Sequence, residues 1–302
     1  MAERPDYVRH GRPARGGTRL AALAGILLAT AAFAVIAWGF SKAVREEAAP
    51  PPPPPPPPPT APQKPTLRIV FPEGFTRADM ARRITEVNRI AKQKRKITPK
   101  LSARAYLRWS RTATLPPDFR GARPPHLEGF LFPATYEFTA DTTSRALVRK
   151  QLEAFERAWG EVDLSYAQEK NLTAYDVLII ASMVEKEVQV PRERPLVAGV
   201  IYNRLRAGMQ LGIDATIRYG LNVPATESLR ESQLEDPNPY NTRLHRGLPP
   251  TPIANPGLAA IQAAAHPAET DFLFFVRNSD CRSHFFTASE AEFYARVAGP
   301  RC

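Results

Sequence analysis

Apolar residues recur at helical spacing through the run IIASMVEKEVQV, Ile179 to Val190. At about 100° per residue, Val177, Ile180, Ala181, Val184 and Val188 share one face. Thr173 stands where a hydroxyl caps the first turn. The pattern puts Lys186 on the watered side, and Glu185 and Glu187 on the two flanks of the stripe. A carboxyl at such an edge is partly desolvated, which raises its pKa and keeps a proton available, as a general acid requires. The pattern also fits two boundary glutamates that are merely solvated, and it does not choose between Glu185 and Glu187.

The same periodicity gives the other elements. Leu67–Phe71 reads as a short strand, Pro72-Glu73-Gly74 as a turn, and Thr76 with Asp79 as a capping box. Behind that box, Ala78, Ala81, Ile84 and Ile90 are partly in helical register. An amphipathic helix is expected over Thr143–Trp159, a further helix from about Glu193 to Met209, and a small-residue helix over Gly257–Ala265. Phe272–Val276 and His284–Thr287 are strand candidates, and residues 289–297 read as helix. The fold class is therefore α+β, with helices outnumbering strands. Leu115–Pro125, rich in proline and glycine, reads as a joint between a smaller part at 66–120 and a larger one at 121–302.

The first 65 residues change the picture. Leu20 to Ser41 has no charged residue and is long enough to span a bilayer as one helix. Arg4, Arg9, Arg12, Arg15 and Arg19 precede it, so residues 1–19 are expected on the cytoplasmic side and the body outside. A cleaved signal peptide would have a shorter apolar core. Residues 42–65 read as a linker. It holds the unbroken run Pro50–Pro59, which favours extended polyproline II, about 30 Å long at about 3.1 Å per residue.

Charge adds less. The chain of 302 residues carries 41 basic and 30 acidic side chains, a net +11. From Arg77 to Arg111 there are twelve basic and two acidic residues. This is either a solvated face or a patch toward anionic lipid or acidic wall polymers. With Tyr106 and Trp109 its only aromatics, it is no stacking platform, and nucleic acid is not expected as a partner. Cys281 and Cys302 are the two cysteines, and sequence does not fix whether they pair. The five histidines are scattered, and no spacing indicates a metal site or phosphate loop.

Several blocks together resemble the endolytic murein transglycosylases. They are LEGFLFPATYEF (Leu127–Phe138), ASMVEKE (Ala181–Glu187), VIYNRLRAGMQLGIDATIRYG (Val200–Gly220), PYNT (Pro239–Thr242), GLPPTPIANPG (Gly247–Gly257) and AAHP (Ala264–Pro267), continued by FFV and HFF. The resemblance implies a LysM-like subdomain over 66–120 and a lytic domain over 121–302. It implies cleavage between N-acetylmuramic acid and N-acetylglucosamine of peptidoglycan strands, leaving 1,6-anhydromuramic ends, with no metal or cofactor. It assigns the acid to the first glutamate of VEKE, Glu185. Asp214, Thr216, Tyr240, Asn241, Thr242 and Asn203 fall in matched blocks as candidate substrate-binding residues. Glu128 and His266 are candidates to orient the acid or to satisfy buried backbone. Partners implied are glycan strands and the cytoplasmic membrane, with peptidoglycan synthases as candidates. A non-catalytic glycan-binding scaffold is the competing reading. The chain departs from the family pattern at Gly212-Ile213, Ala215, Arg243 and Ser289–Phe293.

Overall fold

A computed structural model describes residues 32, 34–36, 38, 39, 65–111 and 114–299. The expected membrane span at 20–41 lies mostly outside these residues, as does nearly all of the 42–65 linker with its proline run. No helix among the described residues is long and apolar enough to cross a membrane. The described residues from 65 onward belong to one compact unit.

The order in that unit is β1 (Leu67–Val70), α1 (Arg77–Arg95), α2 (Ala103–Trp109), β2 (Thr135–Phe138), α3 (Ser144–Trp159), α4 (Ser165–Glu169), α5 (Ala174–Glu187), α6 (Arg194–Arg206), α7 (Asp214–Leu221), α8 (Glu231–Leu234), α9 (Leu258–Ala265), β3 (Phe274–Arg277), β4 (His284–Thr287) and α10 (Glu290–Val297). Short 3-10 turns occupy Pro117–Phe119 and Pro191–Glu193. The class is helix-rich α+β with two two-stranded antiparallel sheets, β1 with β2 and β3 with β4.

The local signals act as their chemistry dictates. Thr173 Oγ1 accepts from the Asp176 N–H at 3.2 Å, and the Asp176 carboxylate accepts from the Thr173 N–H at 2.8 Å. Thr76 and Asp79 repeat this reciprocal box at the start of α1. Each closes two otherwise orphaned N–H groups. In α1 the buried positions are Met80, Ala81, Ile84 and Ala91, whereas Ala78 and Ile90 face water.

Helix α5 differs from its expected stripe. Every residue from Val177 to Val184 is buried, so the helix is enclosed on all sides and not laid on one face. It packs most extensively against α9, and then against α6 and α7. Ser182 offsets its burial by donating to Ile179 O at 2.7 Å and accepting from Ile253 N–H at 3.0 Å.

The joint at 115–125 does not separate two cores. Phe119 sits inside it with ring centroids 4.9 Å from Phe130 and 4.7 Å from Trp159. Strand β1 finds its partner beyond the joint, Leu67 opposite Phe138 and Val70 opposite Thr135. One apolar cluster runs from Ile69 through Phe119 to Ala265.

Candidate active site

One large cleft, about 2280 Å³, crosses the unit. Small-molecule pockets are typically about 300–1,000 Å³, so this one suits an extended polymer better than a metabolite. Its walls include Glu73, Glu128, Glu187, Asp214, Tyr219, Tyr240, Phe275, Arg277 and His284.

The two glutamates at the end of α5 part company here. Glu187 lies on the cleft wall; Glu185 does not. Glu185 Oε2 instead accepts from Gly257 N–H at 3.0 Å, at the start of α9. Burial raises its pKa, the Gly257 N–H lowers it, and the Glu73 charge raises it again. A Cβ on Gly257 would lie 1.8 Å from Glu73 Oε1, so a larger residue there would displace the Glu73 side chain. Lys186 is exposed, as its side of the helix predicts, and its Nζ also donates to Gly74 O at 3.3 Å.

Glu187 is the last residue of α5. Desolvation pushes its pKa up, and the neighbouring Asp214 charge adds to the rise. Arg277, the backbone N–H of Ala215 and Lys186 oppose it without reversing it. A half-buried carboxyl pushed toward its protonated form on a cleft wall has the character of a general acid.

Glu128 is a second unusual carboxyl. It is 2% exposed, and burial raises its pKa from 4.5 to about 7. It accepts from Arg77 N–H at 2.9 Å, Asn255 Nδ2 at 2.7 Å and Tyr219 Oη at 3.1 Å. It thus ties the first residue of α1 to α7 and to the 253–257 segment. Asn255, for which the sequence suggested no role, completes the tie. Its Oδ1 accepts from the Gly129 and Leu131 N–H groups at 3.0 and 2.9 Å, and its Nδ2 also donates to Phe75 O at 2.8 Å. The only signal for it in the sequence is its place inside GLPPTPIANPG.

The expected sugar-binding residues divide. Asp214 opens α7 on the cleft wall and pairs with Arg243 at 2.7 Å, the residue that stands where the family pattern has an aromatic. Tyr240 lines the cleft and shares a 2.9 Å hydrogen bond with Thr251. The others are corrected by their burial. Thr216 and Thr242 are buried against each other, hydroxyls 3.0 Å apart, and Thr242 Oγ1 also accepts from Ile213 N–H. Asn241 Nδ2 donates to Leu234 O and Asp236 O. Asn203 Nδ2 donates to Thr270 O and Phe272 O. Their hydrogen-bonding groups are engaged by partners within the protein. His266 is exposed at the end of α9, 3.6 Å from Asp163, so it neither orients an acid nor satisfies buried backbone. Cys281 is exposed, and Cys302 lies outside the described residues.

This arrangement has relatives. Endolytic murein transglycosylase of Bacillus subtilis strain 168 is 36% identical over 154 residues, 51% of this chain and 42% of that protein. Its namesake from Streptococcus pneumoniae R6 is 34% identical over 238 residues, 71% of this chain and 41% of that one. The chain thus spans about two fifths of the length of these curated relatives. A crystal structure of a yceG-like protein from Listeria monocytogenes matches with a TM-score of 0.64 at 27% identity, covering 76% of this chain and 75% of that one. The model of the YceG-like family matches residues 59–299, most of the sequence and all of its apolar core, and the chain belongs to that family.

Proposed function

We propose that the protein is a lytic transglycosylase that cuts peptidoglycan strands within the cleft, with Glu187 as its acid and base. The observation that carries the reading is a half-buried carboxyl, shifted toward its protonated form, on the wall of a polymer-sized cleft. The name of the bacterial relatives supports the same activity. The acid expected from the family pattern was Glu185. Its carboxyl is occupied by Gly257 and stands off the cleft wall, so the role passes two residues along the helix.

The chemistry needs one such group. Glu187 gives its proton to the oxygen bridging N-acetylmuramic acid to N-acetylglucosamine as the C1–O bond breaks. The muramic 6-hydroxyl attacks C1, and its proton passes to the Glu187 carboxylate. One bond is exchanged for another inside the strand, no water is consumed, and the enzyme returns to its starting protonation. Because the nucleophile belongs to the substrate, the second carboxyl of an ordinary glycosidase is not required, and intramolecular attack benefits from proximity. Asp214 serves as the like charge that helps keep the Glu187 proton in place, and Tyr240 as a cleft-wall contact for sugar.

The wider reading follows from the composition of the first 65 residues and, for the body, from the family resemblance. Residues 20–41 anchor the chain in the cytoplasmic membrane, 42–65 hold the body away from it, and the body faces outward. In this setting residues 66–120, LysM-like in the family pattern but sharing one core with the rest, help grip the strand, 121–302 cut it, and cutting ends strand elongation. Peptidoglycan synthases are the proposed protein partners.

The test uses uncrosslinked glycan strands and mass spectrometry of the ends. Wild type is expected to produce 1,6-anhydromuramic ends. Glu187→Gln loses at least about 10²-fold in rate, the usual contribution of a general acid, while Glu185→Gln retains most activity. The opposite order returns the acid to Glu185. Strand binding without new ends supports the scaffold reading instead.

A further inference from the structure

A carboxyl–imidazole pair reaches the cleft wall and has no part in the proton transfer assigned to Glu187. Glu193, in the turn before α6, is 5% exposed, and His284, the first residue of β4, is 8% exposed. One Glu193 oxygen accepts from the His284 backbone N–H at 3.2 Å and the other from Nδ1 at 2.8 Å. A carboxylate only accepts, so Nδ1 carries the hydrogen and the ring is held at two points. The other nitrogen, Nε2, has no hydrogen-bond partner among the described residues, and His284, its side chain 2% exposed, lines the cleft.

The surroundings suit a sugar. Phe275 meets the imidazole edge-on at 5.4 Å and lines the same cleft, offering an apolar ring beside a polar atom. Arg277, the cross-strand partner of His284, lines the same cleft, and its charge acts on Glu187. A pair serving packing alone is replaceable by apolar side chains at lower desolvation cost. In the neutral ring the same bond leaves Nε2 as the acceptor, and a buried carboxylate that fixes this tautomer has a use when Nε2 must accept.

We propose that His284 is a substrate-binding residue whose Nε2 accepts a hydrogen bond from a hydroxyl or N-acetyl N–H of the bound glycan, with Glu193 as its positioning residue. This rests on the cleft being a glycan groove, though not on which glutamate is the acid.

The experiment uses the full chain carrying Glu187→Gln, labelled with 15N-histidine, with the His284 signals identified by their loss on adding His284→Gln. Saturation with uncrosslinked glycan strands is expected to shift the His284 Nε2 resonance while Nδ1 stays protonated. In otherwise wild-type protein, His284→Ala is expected to raise KM about tenfold with little change in kcat. Glu193→Gln, whose amide donates to Nδ1 and moves the ring hydrogen to Nε2, is expected to raise KM as well, with the exchanged tautomer visible in the 15N spectrum. An Nε2 resonance unmoved at saturation overturns the proposal, as does an unchanged KM in folded His284→Ala. If Glu187→Gln still cleaves the strands, the acid assignment fails while the Nε2 shift still reports on His284.

Discussion

Replacing Glu128 by glutamine should change how stability depends on pH, by an amount that follows from its burial. Its carboxyl sits at about 7 in the folded chain against an ordinary 4.5. The folded state therefore holds this proton more tightly than the unfolded state does. The contribution is fully present at or below the unfolded value of 4.5 and is lost as pH rises through about 7. At 1.36 kcal/mol per unit, the loss is about 3 kcal/mol. Glutamine keeps the shape and never ionises. Its oxygen retains Arg77 N–H and Asn255 Nδ2, and its amide donates to Tyr219 Oη, whose hydroxyl turns toward Thr251. The assay is thermal unfolding of wild type and variant across about pH 4.5 to about pH 7.5. For a unit of this size, about 2–4 °C per kcal/mol, the Tm difference should move by about 6–12 °C in favour of the variant as pH rises. A constant difference across that range would refute the claim that this carboxyl ionises in place at such cost.

Other outcomes follow from the same geometry. Asn255→Ala leaves the Gly129 and Leu131 N–H groups unpaired inside the core and takes a donor from Glu128, so it should cost about 4 kcal/mol or more in urea unfolding. Gly199→Ala places a Cβ 2.6 Å from the Ala268 backbone oxygen, where no flexible atom can yield; a loss of about 1–3 kcal/mol is expected, and an unchanged midpoint would contradict the packing. Asp214→Asn removes the like charge that helps raise Glu187. The acid then gives up its proton at lower pH, so the alkaline limb of kcat/KM should move acidward; a stationary limb would detach Asp214 from the acid.

Features decided within one turn of chain were legible from residues alone. Thr173 with Asp176 and Thr76 with Asp79 close their boxes across three positions, and no distant neighbour is needed. Features decided by what arrives from elsewhere were not. A helical wheel gives the direction of Glu185 and Glu187 relative to their own axis, but Gly257, which captures Glu185, comes from the start of α9. The stripe on α5 underestimates burial because α6, α7 and α9 also cover its polar-looking sides. The joint at 115–125 has the composition of a linker, and only the sheet pairing and the aromatic contacts of Phe119 reveal that chain on both sides shares one core. Thr216, Asn241 and Thr242 look like sugar contacts as letters, but carbonyl and hydroxyl partners within the protein commit them to loop shape.

The ties made by Asn255 bear on synthesis. It holds Phe75 O from 180 positions away and Glu128 from 127. A chain emerging from the ribosome presents the start of α1 long before the asparagine that completes its surroundings. Until then Glu128 lacks one of its donors and the cleft lacks one of its braces. Contacts this far apart in sequence slow folding. A fragment stopping short of residue 255 should accumulate as a partly ordered species that proteases degrade, and the fold should close only after nearly the whole polypeptide has been delivered.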